Sequence, residues 1–174
     1  WLDLFVCNHL APNRLYLGGA MPWPDIGPDV GASPGNAFTH CAAAADIDGD
    51  GDIDLAVQND GDILRLLINQ EGSRRGALQL RIAGAHGEPH AIGAVVAVRV
   101  GEEWTWHSVR AGGNGFKGQN DLLVHAGLGD ASHADQVIVT WPDGQRRTLV
   151  NVPAKSRWTV WPLSMAGDLD NDTL

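Results

Sequence analysis

Five carboxylates fall within nine residues of this chain: Asp46, Asp48, Asp50, Asp52 and Asp54, separated by Ile47, Gly49, Gly51 and Ile53. Like charges packed this closely repel, by ~1 kcal/mol per pair at ~4 Å in bulk water and by more near protein. A bound cation removes the conflict. The alternating spacing aims Asp46, Asp48 and Asp50 at one centre, and Gly51 permits a sharp turn. Asp52 would offer its backbone carbonyl, and Asp54 would close the site from the start of the next strand. An all-oxygen set suits Ca2+, which takes about six to eight oxygens at ~2.3–2.6 Å, whereas Mg2+ demands a tighter octahedron and keeps its waters. A solvated acidic turn without metal is the alternative. An EF-hand opens in the same way, but it needs a bidentate Glu at position twelve and flanking helices. That position is Val57, and Leu55 to Gln58 read as strand.

Other residues invite chemistry more weakly. The stretch Gly112–Gly118, flanked by Arg110 and carrying Lys117, could cradle an anion with backbone N–H groups. No Gly-Lys-Ser/Thr ends it, so a conformational role is the expectation. Trp104 and Trp106 share one face of a strand; core packing is expected, and an exposed pair that stacks on sugar rings is the alternative. His86 and His90, four apart, would suit a metal on a helix, but Gly87 and Pro89 place them in a loop as solvated side chains. Cys7 and Cys41 are either one disulfide or two separate buried thiols. Neither Gly-x-Ser-x-Gly nor His-Glu-x-x-His occurs, and the reading is of a chain that is not an enzyme. Asp168-Leu169-Asp170-Asn171-Asp172 opens like a calcium loop, but Thr173 stands where Gly should, which makes it an acidic tail or a truncated repeat.

Composition bounds the partners. A net charge of −9 leaves no basic face for nucleic acid or anionic lipid. No apolar run approaches the ~18 residues of a membrane span. The chain opens at Trp1 without a secretory pattern and reads as a fragment of something longer. With 22 Gly and 9 Pro among 174 residues, short strands and frequent turns are expected.

The elements that would position the acidic loop show an internal repeat. At an offset of 51, Asp3–Asn8 falls on Asp54–Asn59 and Arg14–Leu17 on Arg65–Ile68. Each unit reads as strand, polar turn, strand, with residues 9–13 and 60–62 as the turns. A period near 50 residues is the size of a β-propeller blade. The loop, the Asp54-Leu55-Ala56-Val57 strand and this repeat together resemble the FG-GAP/VCBS repeats of integrin-α-type propellers. The resemblance implies a blade whose inter-strand loop holds Ca2+ structurally through Asp46, Asp48, Asp50, the carbonyl of Asp52, and Asp54. The first repeat keeps only Asp3, the equivalent of Asp54, so any chain upstream is expected to carry another Asp-x-Asp-x-Asp-Gly.

From about Leu78 the apolar residues alternate strictly: Leu78, Leu80, Ile82; Ala94, Val96, Val98, Val100; Val137, Val139, Trp141. Period two means half-buried strands, and turn signals such as Trp141-Pro142-Asp143-Gly144 divide them into a small sandwich or barrel. Val109–Gly113, Gln119-Asn120-Asp121, His125–Gly129, Val139–Gly144 and Val152-Pro153-Ala154 resemble, in family order, the ASPIC/UnbV domain. Asn114-Gly115-Phe116 departs from the family's more usual Gly-aromatic-Leu-Ser, and His125-Ala126 from His-Phe. This domain follows FG-GAP/VCBS repeats in secreted bacterial proteins and cartilage acidic proteins.

The expectation is therefore an all-β chain: partial propeller blades over residues 1–69, a β-sandwich or barrel over 70–162, and an acidic tail over 163–174. The resemblance implies a calcium-stabilised binding or scaffolding role in a secreted, periplasmic or extracellular-surface setting, as an interaction subunit of a larger extracellular or membrane-bound assembly. Its partners would be other protein subunits or extracellular glycans. A carbohydrate-binding module and the accessory domain of a secreted enzyme are the alternatives.

Overall fold

In the computed structural model, residues 2–33, 37–61, 63–85, 88–112 and 118–163 are described. His86, the Gly-rich segment 113–117 and the acidic tail from 164 onward lie outside the described residues. The described elements are all strands apart from a single 3-10 turn at Gly72–Arg74, so the chain is all-β. It divides into two compact units.

The first unit holds β1 (Leu4–Val6), β2 (His9–Ala11), β3 (Arg14–Tyr16), β4 (Ala37–Ala45), β5 (Asp54–Asn59) and β6 (Arg65–Leu67). The β1–β3 hairpin pairs Leu4 with Tyr16, Phe5 with Leu15 and Val6 with Arg14. The β5–β6 hairpin pairs Leu55 with Leu67, Ala56 with Leu66 and Val57 with Arg65. Every partner in the second set is the first set moved by 51, so the repeat seen in the sequence is a repeat of register. One expectation changes here. Residues 9–13 are not simply a turn, because β2 lies within them and pairs across to β4 in a four-stranded sheet ordered β2-β4-β5-β6. Leu10, at φ 62, bulges out of that pairing and is exposed. The hairpin tip thus satisfies backbone groups on the edge of the next sheet, a requirement local turn chemistry does not reveal.

This unit has a thin core. Val57 and Ala32 are buried together with polar Asn13, Thr39 and Asn59, and the Thr39 hydroxyl donates to Asn59 Oδ1 at 2.6 Å. Leu2, Met21 and Ile63 remain largely exposed. Segment 118–120 groups with this unit: Asn120 Oδ1 accepts the Ala44 N–H at 3.0 Å, and a Cβ on Gly118 would sit 3.0 Å from the Ala42 carbonyl oxygen.

The second unit holds β7 (Gly76–Ile82), β8 (Val95–Val100), β9 (Glu103–Ser108), β10 (Val124–Gly129), β11 (His133–Thr140), β12 (Arg146–Pro153) and β13 (Ser156–Val160). One sheet runs β10-β7-β13, with β13 parallel to β7; the other, antiparallel throughout, runs β12-β11-β8-β9. Their inner faces share one core of Leu78, Leu80, Ile82, Val96, Val98, Val137, Val139 and Trp141, all at 4% exposure or less. This is a sandwich, and the alternation read from the sequence is what fills it. Each fully buried Leu, Ile or Val contributes about 1.5–3 kcal/mol relative to exposure. The one buried indole N–H in this cluster is satisfied, donating to the Ala83 carbonyl at 2.8 Å.

Trp104 and Trp106 correct the expectation of core packing. They are 40% and 69% exposed. Because β9 is an edge strand, the same alternation that turns Val96 and Val98 inward on β8 sends their cross-strand partners His107 and Thr105 to that side. The two tryptophans take the other face.

Candidate metal site

The acidic loop connects the last residue of β4 to the first of β5, which are directly paired, Ala45 with Asp54. Its shape comes from short-range carboxylate acceptance. Asp48 Oδ1 takes the Asp50 N–H at 3.2 Å, Asp50 Oδ1 takes the Asp52 N–H at 3.1 Å, and Asp54 Oδ2 takes the Ile47 N–H at 2.8 Å. Such side-chain-to-backbone bonds two residues on are how Asp turns a chain without helix or sheet. The glycines between them take left-handed φ values, 82° at Gly49 and 95° at Gly51. That curl swings alternate carboxylates to one side.

Asp46, Asp48 and Asp50 accordingly offer one oxygen each, all within 4.8 Å of one another. Ligands on opposite sides of Ca2+ stand ~4.6–5.2 Å apart, twice the bond length, and ligands on the same side stand closer. The donor set and its spread therefore fit a calcium ion. Asp46 is half-buried and the other two are exposed, so an ion could enter from solvent. Asp52 and Asp54 stand outside this trio and are buried, at 3% and 1% exposure.

A further anchor is absent from the sequence reading. His125 Nε2 lies 2.8 Å from the carbonyl oxygen of Gly51. A carbonyl only accepts, so Nε2 carries the proton. Loop residues 48–53 group with the second unit, as does β10 with His125. Asn69 Nδ2 reaches the Ile53 carbonyl at 3.5 Å, and a Cβ on Gly72 would collide with the Asp52 side chain. In sequence His125 stands out only as part of the His125–Gly129 motif; its partner here is 74 positions away.

The remaining candidates are placed as follows. Cys7 and Cys41 are both thiols, and burial, then the nearby Cys41, pushes the Cys7 thiol above its ordinary value. His90 is half-buried rather than solvated, its shielded Nδ1 without a hydrogen-bond partner among the described residues. Arg110 is exposed and donates from Nε to the Ser108 hydroxyl at 2.7 Å. Ser132 Oγ lies 3.2 Å from His133 Nδ1, and His133 Nε2 lies 3.6 Å from Asp135 Oδ1. This line is open to water, where the field of the carboxylate is screened. No helix among the described residues is long and apolar enough to cross a membrane.

Fold and loop together define an all-β protein in which a repeat region carrying an acidic hairpin loop precedes a two-sheet sandwich. Residues 1–57 match the FG-GAP-like repeat family, and residues 84–164 after them match the ASPIC and UnbV family. The pair is of the kind found in extracellular repeat proteins. No match was found among curated proteins.

Proposed function

We propose that this chain is a calcium-stabilised binding or scaffolding module that works outside the cytoplasm, without catalytic activity, as an interaction subunit of a larger extracellular or membrane-bound assembly. The observation that carries the calcium part is the trio Asp46, Asp48 and Asp50, whose oxygens lie within 4.8 Å in a loop entering β5. FG-GAP repeats often bind calcium in such loops. The ion would be held by those three carboxylates with the Asp52 carbonyl, and Asp54, bonded to the Ile47 N–H, would hold the loop's end in place. The chemistry is structural: a divalent charge cancels carboxylate repulsion and locks the curl that sets β5 in register. The binding role is supported by the pairing of the two family matches. Partners are other protein subunits or extracellular glycans.

Calcium linkage tests this. Calcium at a hundred times its Kd stabilises the folded state by about 2.7 kcal/mol. Tm should rise with free calcium, fall with EGTA, and lose that response in Asp48→Ala. A Tm indifferent to EGTA, with Asp48→Ala as stable as the parent, rules out the calcium role.

A further inference from the structure

The outward face of the four-stranded sheet in the second unit is built unlike the rest of the chain. Register defines its rows: Trp106 pairs with Ala97, which pairs with Ile138, which pairs with Thr148; Trp104 pairs with Arg99, then Gln136, then Val150. A third row runs through Ser108, Val95, Thr140 and Arg146. The alternate residues Val96, Val98, Val137 and Val139 fill the core, so these rows face away from it. At their edge the indoles of Trp104 and Trp106 stack, their ring centroids 6.3 Å apart and their planes inclined at 29°. Trp106, at 69% exposure, is a large apolar surface left in water on an edge strand. With Trp104 it forms an exposed aromatic pair on one face, the kind of contiguous apolar patch that marks a binding surface.

Charge narrows the partner. The chain as a whole carries 21 acidic against 12 basic residues, yet these rows hold two arginines and no carboxylate. Glu102 and Glu103 sit at the β8–β9 end, beyond the rows. The Arg99 guanidinium stands 5.8 Å over the Trp104 ring, and its buried Nε has no acceptor among the described residues. Among the described residues neither Arg99 nor Arg146 forms an ion pair. A guanidinium held by stacking presents its fork to a planar bidentate acceptor, which a carboxylate matches. Between the arginines and tryptophans lie neutral hydrogen-bonding groups, Gln136, Thr140 and Thr148, suited to hydroxyls.

We propose that this face binds an anionic polysaccharide bearing uronate carboxylates, with the sugar rings stacked on Trp104 and Trp106 and a carboxylate taken by Arg99. The C–H face of a pyranose is apolar and slightly positive, complementary to the negative face of an indole. The inference rests on the reading of the chain as a binding module and is independent of the calcium loop.

The test uses the whole chain and short oligogalacturonates, with tryptophan fluorescence and calorimetry as readouts. Binding is expected for the oligogalacturonate and not for its carboxyl-reduced neutral counterpart or for dextran sulfate. Trp106→Ala and Arg99→Gln should each weaken binding about tenfold or more, the scale of a loss at a stacked anchor. Trp106→Phe, which keeps an aromatic face, should recover part of it. Both variants should keep the parent's Tm and its response to calcium, and Asp48→Ala should keep oligogalacturonate binding. Equal binding of the neutral sugar, or unchanged binding by Trp106→Ala, overturns the proposal, as does no binding by the parent chain. A missing calcium response alone overturns only the metal reading.

Discussion

His125 Nε2 donates to the carbonyl of Gly51 across 2.8 Å, so the acidic loop is held by a strand of the sandwich and not by its own hairpin alone. Gly51 needs its left-handed φ of 95° to present that carbonyl, and the loop's carboxylates are placed by the same curl. The two features are therefore one device.

Removing the donor exposes its worth. His125→Ala should cost about 1 kcal/mol in denaturant unfolding, the ordinary net value of one hydrogen bond, and should reduce the calcium-induced rise in Tm. An unchanged unfolding midpoint would show that the loop holds its shape without β10.

The glycine can be tested separately. Gly51→Ala meets no atom within 4 Å, so any cost comes from backbone conformation, about 1–2 kcal/mol for a left-handed L-residue. Gly127→Ala, on β10 with equal space and no left-handed φ, should be neutral or slightly stabilising. Thermal unfolding of the pair gives the comparison.

Trp141 joins a turn to the core. Its side chain is 4% exposed and its indole N–H meets the Ala83 carbonyl. Trp141→Phe should cost about 1–3 kcal/mol by leaving that carbonyl unpaired, and Trp141→Ala about 3–5 kcal/mol by adding a cavity. Equilibrium unfolding measures both.

His107 predicts an acid-side weakness. Burial, and then the neighbouring His125, lowers its pKa below the ordinary 6.5. The unfolded chain then binds a proton more readily than the folded one, so stability rises with pH through that interval. Tm should fall as pH drops below about 6.5, before carboxylate protonation dominates, and His107→Gln should flatten this part of the curve. A parent and variant with parallel Tm profiles between pH 7.5 and 5 would show that His107 is not responsible.

The repeat and the sandwich core were legible in the residues because both rest on local periodicity. Asp3–Asn8 recurs at Asp54–Asn59, and the hairpins that follow keep that offset in their pairing. Leu78, Leu80 and Ile82 alternate and are all fully buried. The acidic spacing is legible for the same reason, since Asx turns and glycine φ values act within a few residues and gather Asp46, Asp48 and Asp50.

What the tertiary structure alone decided is which faces and edges are covered. Alternation assigns Trp104 and Trp106 to one side of a strand, but only the sheet order, in which β9 is an edge strand among the described residues, leaves that side to solvent. The pairing of β2 with β4, the Asn120 bond to the Ala44 N–H and the His125 bond to Gly51 all join residues distant in sequence. Such contacts satisfy backbone groups left over by local structure, and their partners are selected by the packing of the whole chain, which no local pattern encodes.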